Sequence, residues 1–282
     1  MSGSLDRCVD LHSHSWCSDG TLSPEALVDL AVSRGVQVLA LTDHDTTEGV
    51  AAAQQASAGT GLVLVPGVEI SVTWERRTLH VVGLDIDPGA PELQAGLARL
   101  RGIRGRRARD ISERLAESGV EGAADGVRAL ARGAILSRTH FARYLVDQGH
   151  VRTLQQAFKR YLSVDCKAYV PARWAALDEA VAWIHGAGGR AVLAHPGRYK
   201  LGRTRMRRML AAFRACGGDA IEVHSGSQRP EDGRLFAGLA REFGLLASVG
   251  SDYHGPEQRW LDLGGLPRLP ADCVPVWRDW PH

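Results

Sequence analysis

Short apolar runs alternate with helical patterns over the first part of the chain. Ser23-Pro-Glu25 supplies an N-cap, a proline at the first helical position and an early acidic residue, and Gly35 ends the helix that follows. Val36 to Leu41 is apolar except for Gln37, as is typical of a strand buried on both faces. A second helix over residues 48–58 and a second apolar strand, which ends at Pro66-Gly67, repeat this order. The alternation predicts a parallel α/β core.

The alternation resumes after Pro171, and a different pattern separates its two parts. From Pro91 to Gly119 apolar residues recur at helical spacing on one face, and shorter helical patterns follow without a strand between them. We interpret this middle stretch as an insertion. The predicted barrel comprises residues 1–97 and 172–282, and the predicted helical insertion comprises residues 98–171. With about seven strands, the predicted fold class is α/β, a distorted (β/α)7 barrel with a mainly helical insertion domain.

Ionisable residues collect where the apolar strands end. His12 and His14 stand two residues apart, so on a strand both side chains point to the same face and both could hold one metal ion. A lone pair of this kind is also found on ordinary solvated strands. Here, however, the same style of segment recurs, and its further members carry Asp19, His44, Glu69, His80, His195, Asp252 and His254. Because β/α barrels place their chemistry at the C-terminal ends of strands, the pattern predicts a metal site on that rim.

The net charge of +2 conceals an uneven distribution. Residues 96–170 contain 15 Lys and Arg against 7 Asp and Glu, whereas the rest of the chain contains 19 against 25. The acidic part holds the candidate metal ligands, and the basic part could meet a polyanionic substrate. A solvated, arginine-rich helical face is the alternative interpretation of the basic part.

Cysteine usage and the N-terminus bear on the compartment. The five cysteines form no CxxC pair, and their odd number argues against a disulfide framework. The N-terminus lacks a signal-type apolar region, and no run reaches the roughly 18 apolar residues that a membrane span requires. We therefore expect a cytoplasmic protein with reduced thiols, no membrane association and no obligate protein partner.

The order of these motifs resembles that of the polymerase-and-histidinol-phosphatase (PHP) superfamily of metal-dependent phosphoesterases. The matching motifs are His12-Ser-His14, Asp19, Thr42-Asp-His44, Pro66-Gly-Val-Glu69, His80, Ala194-His-Pro196 and Ser251-Asp-Tyr-His254. They cover roughly residues 6–97 and 172–260, and they imply a PHP-type barrel. Within the insertion, Leu136-Ser-Arg-Thr-His-Phe-Ala-Arg143 is similar to a segment of the 3′,5′-nucleoside bisphosphate phosphatases and related 5′-to-3′ exoribonucleases, although Ser137 stands where glycine is expected.

The resemblance implies a site of three divalent metal ions. The implied ligands of the first ion are His12, His14, Glu69 and Asp252. Those of the second are Asp19, His44 and His254, and those of the third are Glu69, His80 and His195. Glu69 is the natural bridge, because a carboxylate has two oxygens that can serve two cations. Imidazole and carboxylate ligands without thiolate suit Mn²⁺, our first expectation, and also Fe²⁺ or Zn²⁺.

The implied chemistry is hydrolysis by a metal-activated water, without a protein nucleophile. The resemblance implies removal of the 3′-phosphate from nucleoside 3′,5′-bisphosphates to give 5′-mononucleotides, together with trimming of short or 5′-phosphorylated RNA. Two alternatives remain open. A small-metabolite phosphatase of the histidinol-phosphate type would have little use for an arginine-rich insertion. A nucleic-acid-binding protein with a degenerate metal site is at odds with the intact ligand set.

A substrate with two separated phosphates needs a second anion site beside the metals. The expected contributors are Ser137, Arg138, His140, Arg143, Arg198, Lys200 and His224. Those of the insertion stand near a predicted helix start, where anion binding is favourable. Arg198 and Lys200, which follow His195, would overhang the site. His224 stands at the end of a predicted strand on the same rim. Packing or a solvated loop is the alternative role for each.

Overall fold

Seven strands form one sheet in the order β1-β2-β3-β4-β5-β6-β7. This computed structural model describes residues 7–226, 228–229, 231–257 and 262–280, so residues 1–6 and 281–282 of the predicted barrel lie outside the described part. The strands are β1 (Val9–Asp10), β2 (Val38–Leu41), β3 (Val63–Trp74), β4 (Arg77–Leu84), β5 (Arg190–Leu193), β6 (Ala220–Ser225) and β7 (Leu246–Gly250). The amide of Leu11 donates to the carbonyl of Val249 at 3.0 Å, which brings the last strand beside the first. The predicted α/β barrel is confirmed.

Helices connect the strands and build the insertion. Those of the barrel are α1 (Pro24–Ser33), α2 (Val50–Ser57), α7 (Leu177–Gly186), α8 (Arg203–Ala215) and α9 (Asp232–Glu242). Those between β4 and α7 are α3 (Pro91–Glu117), α4 (Ala123–Leu130), α5 (Arg138–Asp147) and α6 (Leu154–Ala157). A π-helix follows at Phe158–Leu162, and a 3-10 turn follows β5 at Pro196–Tyr199. Local sequence explains the first helix, because the Ser23 hydroxyl accepts from the amide of Ala26 at 3.0 Å.

Strand β3 corrects one prediction, because it does not stop at Pro66-Gly67. Pro66 is in register with Leu41 of β2 in a parallel pair, whereas Gly67 is in register with Leu84 of β4 in an antiparallel pair. The strand therefore changes its partner at the residue that lacks an amide hydrogen. A Cβ at Gly67 would lie 2.8 Å from Thr42 Cγ2, so the close approach of the two strands requires glycine. The strands β4 and β5 are also antiparallel, and the other pairs are parallel.

The described residues form a core in the barrel and a second core in the insertion. Helix α3 crosses the predicted boundary between residues 97 and 98 and contributes to both. Its Leu93, Leu97 and Leu100 pack in the barrel core, whereas Ile111 and Leu115 pack with side chains of the insertion. The division into two domains stays a prediction, and α3 joins its two parts.

Candidate metal centre and substrate cleft

The nine predicted metal ligands converge at one end of the barrel. They follow or occupy the strands β1, β2, β3, β4, β5 and β7 near the rim where the parallel strands end, and all except His80 are buried. His12 and His14 lie just beyond β1, and their ring centroids are 5.1 Å apart. Two of the candidate ligands have a positive φ, which L-residues seldom adopt: 58° at Asp252 and 29° at His195. The rim predicted from the polar strand ends therefore exists as one compact cluster.

Glu69 lies at the centre of the cluster. Its Oε1 lies 2.8 Å from His80 Nδ1, 2.9 Å from His195 Nε2 and 3.3 Å from His12 Nε2. Its Oε2 lies 2.7 Å from His44 Nδ1 and 3.5 Å from His14 Nε2. A buried carboxylate that faces imidazoles with both oxygens is placed to bridge cations.

In the part of the chain that the structure describes, three groups of ligand atoms are compact enough to hold one ion each, with all atoms of a group within 4.8 Å of one another. The first group is His12, His14, Glu69 and Asp252, the same set that the resemblance implies. The second is His14, Asp19, His44 and His254, which adds one histidine to the implied set. The third is His44, Glu69 and His80, without the implied His195. His195 Nε2 nevertheless approaches the same Glu69 oxygen as His80 does, so the grouping around this oxygen stays a prediction.

The unpaired atoms of the cluster fit metal ions. Buried side-chain atoms without a hydrogen-bond partner among the described residues include His12 Nε2, Asp19 Oδ1, His44 Nδ1, Glu69 Oε2, His80 Nδ1 and His195 Nδ1. A buried polar atom without a hydrogen-bond partner costs about 1–3 kcal/mol. Because six such atoms lie in one cluster, we infer that cations would satisfy them. Imidazole nitrogens and carboxylate oxygens are suitable donors for such ions.

Burial and charge shift the pKa values of the cluster in opposite directions. Burial lowers the pKa of His14 to about 3 and that of His195 to about 4, which leaves these rings neutral and able to bind a metal. Burial also opposes the protonation of His254, but the charges of Asp19 and Asp252 outweigh it and raise its pKa to about 9. A bound metal ion would neutralise the same carboxylates that stabilise the protonated ring of His254.

Glu222 is a site residue that the sequence analysis missed. It is buried, its Oε1 lies 2.6 Å from His12 Nδ1, and its Oε2 accepts from the amide of His195 at 2.5 Å. The carboxylate therefore fixes one ring directly and the backbone of a second candidate ligand. The sequence signal that indicates Glu222 is its place near the end of an apolar strand, like that of the candidate ligands.

His224, which we expected at the substrate, lies elsewhere. A register shift between Glu222 and His224 interrupts the alternation of β6, so the two side chains do not share the face that simple alternation predicts. The ring of His224 packs against α9, where a Cβ at Gly233 would clash with it. The expected role of His224 at the substrate stays a prediction, and this packing does not favour it.

The start of α5 holds the predicted metal ligand Asp19 in place. The Ser137 hydroxyl donates to Asp19 Oδ2 at 2.8 Å, and Arg143 Nη1 donates to the carbonyl of Asp19 at 2.8 Å. Arg143 also pairs with Glu257 at 3.0 Å, and His140 Nδ1 accepts from the amide of Ser137 at 3.2 Å. His140 Nδ1 thus caps the start of α5, and Arg143 links α5 to Asp19 and Glu257. The expected contact of His140 and Arg143 with substrate phosphate stays a prediction.

A cleft of about 260 Å³ opens beside the cluster. Its cationic walls are Arg104, Arg107, Arg138 and Arg198, and its aromatic walls include Phe158, Trp174 and Tyr199. The structure thus places three of the expected substrate contacts, Ser137, Arg138 and Arg198, at the cleft. Lys200 instead borders a separate cavity between the 3-10 turn and helices α8 and α9, so its expected contact with the substrate stays a prediction without support from the cleft.

The arginines of the cleft differ in their partners. Arg104 is buried, its Nε pairs with Asp45 Oδ2 at 2.6 Å, and its Nη2 donates to Ser71 at 2.8 Å. Arg198 pairs with Asp252. Among the described residues no carboxylate pairs with Arg107 or Arg138, and burial, followed for Arg107 by the charge of Arg138, lowers the pKa of both. Two partly buried cations without a counter-ion form a site for an anion.

Comparisons with known proteins agree with this geometry. Residues 10–215 match the family model described as PHP domain. The chain is 47% identical over 272 residues to a 3′,5′-nucleoside bisphosphate phosphatase of Chromobacterium violaceum, covering 96% of this chain and 95% of the relative. It is 45% identical over 273 residues to the 5′-3′ exoribonuclease Rnm of Escherichia coli, covering 96% and 93%.

A solved structure is similar over nearly the same length. It is the structure of an amidohydrolase from Chromobacterium violaceum with bound sulfate and no metal, and it superposes with a TM-score of 0.92 at 47% identity, covering 96% of this chain and 94% of that one. Within the described residues, no helix combines the length and apolar character of a membrane span.

Proposed function

This chain belongs to the PHP domain family of phosphoesterases, and on that premise we propose that it hydrolyses the 3′-phosphate of nucleoside 3′,5′-bisphosphates to give 5′-mononucleotides. One observation carries the proposal. A cluster of imidazoles and carboxylates suited to cations shares a cleft with two partly buried arginines that have no carboxylate partner among the described residues. The metal-binding cluster can hold the phosphate that is cleaved, and the two arginines can hold the phosphate that stays on the nucleoside. The activities after which the relatives are named support this assignment.

The residues of the cluster would hold three divalent ions, with Mn²⁺ the first candidate and Fe²⁺ or Zn²⁺ the alternatives. When bound, such ions polarise the phosphate and lower the pKa of a water that attacks it. The chain itself contributes rigid geometry, since Glu69 is buried among the imidazoles and Glu222 and Ser137 hold His12 and Asp19 in place. No side chain has to act as a nucleophile.

The second phosphate would lie at Arg107 and Arg138. Arg107 is anchored by its Nε, which donates to the carbonyl of Val170 at 2.9 Å, and this leaves the outer nitrogens of its guanidinium for the substrate. The guanidinium of Arg138 lies 5.8 Å from the ring centroid of Phe158, and that of Arg107 lies 5.6 Å from that of Trp174. These aromatic rings form walls on which the nucleoside can stack.

The same arrangement would accept RNA with a 5′-phosphate at the arginines and its first linkage at the metals, so that one site could both dephosphorylate and trim. The name of the Escherichia coli relative supports this second substrate. We place the enzyme in the cytoplasm, where five unpaired cysteines such as these are common.

The test compares substrates that differ only in the 5′-phosphate. We expect kcat/KM for adenosine 3′,5′-bisphosphate to exceed that for adenosine 3′-monophosphate by at least tenfold, because charge-assisted contacts contribute about 1.5–3 kcal/mol each. Histidinol phosphate serves as the small-metabolite control. Equal rates with and without the 5′-phosphate, or preference for histidinol phosphate, would refute the proposed substrate class.

A further inference from the structure

A second basic cavity lies in the insertion, outside the cleft. It measures about 590 Å³ and its lining includes His150, Arg152, Lys159 and Arg160. No carboxylate occurs anywhere between Gln148 and Val164 in the sequence. Among the described residues none of these four side chains forms an ion pair with a carboxylate. A concave surface with this charge is suited to an anion that is held by several contacts.

One short element separates this cavity from the cleft. Phe158, the first residue of the π-helix, lines the cleft together with Arg138, and the next two residues, Lys159 and Arg160, line the basic cavity. The guanidinium of Arg160 lies 5.3 Å from the ring centroid of Tyr161, which restrains it at the cavity edge. The two cavities are thus neighbours on adjoining faces of the same helix.

The size of the cleft bears on what reaches the second cavity. Ligand pockets of about 300–1,000 Å³ hold a drug-sized molecule, and the cleft has about 260 Å³. It can therefore enclose little more than one nucleotide, and a longer RNA must continue over the surface outside it. Exposed cations next to the cleft would meet the negative charge that single-stranded RNA carries at every linkage.

We propose that the cavity lined by Arg152, Lys159 and Arg160 binds the phosphodiester backbone of RNA whose 5′ end occupies the cleft. The inference rests on the proposed function and adds a separate binding surface to it. It predicts a contribution that depends on substrate length, because a nucleoside bisphosphate is too short to extend beyond the cleft.

The experiment compares two double variants that each remove two cations. Lys159→Gln/Arg160→Gln alters the cavity. Arg214→Gln/Arg241→Gln is the control, since these arginines lie in the last turns of α8 and α9, at the opposite end of the barrel from the site. Each enzyme, loaded with Mn²⁺, is assayed with adenosine 3′,5′-bisphosphate and with a 5′-phosphorylated RNA of twelve nucleotides, at 50 and 200 mM salt. Arg152→Gln is the milder single variant outside the π-helix.

We expect the cavity variant to lose about tenfold in kcat/KM on the RNA at 50 mM salt and to show a salt slope smaller by about 1 to 1.5. Its kcat/KM on the bisphosphate should stay within twofold of the parent value, which also shows that it is folded. Arg152→Gln should show a smaller loss of kcat/KM on the RNA.

The inference is overturned if kcat/KM falls equally for the RNA and the bisphosphate, or if the control variant loses as much kcat/KM on the RNA. Failure of the parent enzyme on the bisphosphate would instead refute the proposed function, and RNA affinity measured by fluorescence anisotropy would still test the cavity.

Discussion

The residues of the cluster are of two kinds: candidate metal ligands, and residues that hydrogen-bond to the segments carrying those ligands. Asp43 belongs to the second kind, since its carboxylate accepts from the amide of Ser15 at 2.8 Å and from the hydroxyls of Ser15 and Ser18 at 2.6 Å. Burial raises its pKa to about 6. Asp45 pairs with Arg104 at the cleft. Asp43 thus fixes the segment Ser15–Ser18 next to the candidate ligands, whereas Asp45 fixes an arginine of the cleft.

Glu222→Gln should weaken metal binding by about 10–100-fold, the usual cost of losing a group that orients a ligand. The amide would remove the negative charge beside His12 Nδ1, and its NH₂ group could not accept from the amide of His195. Isothermal titration of the metal-free protein with Mn²⁺ measures the effect. Glu231→Gln, at an exposed glutamate before α9, is the matched control. Equal affinities in both variants would contradict the role of Glu222.

The convergence of the nine candidate ligands could be predicted from sequence, whereas Glu222 and His224 could not be told apart. A strand of regular alternation sends both residues to the same face, and only the tertiary structure shows the register shift between them. Arg104 and Arg107 were missed for a related reason. Helix α3 carries seven arginines, and which of them face the cleft depends on how the helix packs.

Among the described residues, the helices α3 and α5 and the π-helix of the insertion reach the cleft, the last through Phe158. α3 brings Arg104 and Arg107 to the cleft, and α5 brings Ser137 and Arg138. The segment before α5 also packs against the loop that carries Asp19, where a Cβ at Gly133 would lie 2.5 Å from the carbonyl oxygen of Cys17. The predicted helices of the insertion were close to the observed ones, but their contact with this loop depends on side chains far apart in sequence.

Arg143→Ala and Arg138→Ala should affect different constants. Arg143 holds the backbone of Asp19, so its loss should lower Mn²⁺ affinity and kcat by several-fold while KM changes little. Arg138 lines the anion site, so its loss should raise KM for the bisphosphate by about tenfold with Mn²⁺ affinity unchanged. Metal titration and steady-state kinetics on both variants decide the matter. The assignment fails if Arg143→Ala raises KM alone.

Two glycines of α3 should respond in opposite ways to alanine. Nothing lies within 4 Å of a Cβ at Gly105, so Gly105→Ala should stabilise the protein by about 1 kcal/mol through helix propensity. A Cβ at Gly96 would lie 2.6 Å from the Trp183 ring, so Gly96→Ala should destabilise it by about 1–3 kcal/mol. Urea denaturation followed by circular dichroism measures both. A stabilising Gly96→Ala would show that this packing is looser than the structure indicates.

At the scale of the whole molecule, the barrel concentrates buried charge at one end. The cluster places four carboxylates, those of Asp19, Glu69, Glu222 and Asp252, among imidazole rings. Several buried atoms of this cluster have no hydrogen-bond partner among the described residues, which is costly without cations. The remainder of the barrel core is apolar. Stability and metal binding are therefore linked across the molecule.

Removal of metal should destabilise the protein measurably. Metal analysis after reconstitution should give about three ions per chain, and each site with free Mn²⁺ at about 100 times its Kd adds about 2.7 kcal/mol to the free energy of unfolding. Calorimetry with and without EDTA tests this, and Ca²⁺, which prefers oxygen ligands, is the control cation. One ion or fewer, with an unchanged melting temperature, would refute a cluster of three.

Helix α3 has a consequence for protein engineering. Since Leu93 to Leu100 belong to the barrel core and Ile111 to Leu115 to the core of the insertion, the two units share one continuous backbone element without a linker. A chimera that exchanges the insertion between relatives must therefore keep the helical phase of the recipient. A deletion of one residue between Leu100 and Arg104 would rotate the donor part by about 100°, and Arg104 would leave Asp45. Successful grafts should be those whose junction preserves this rotation, whatever their sequence identity.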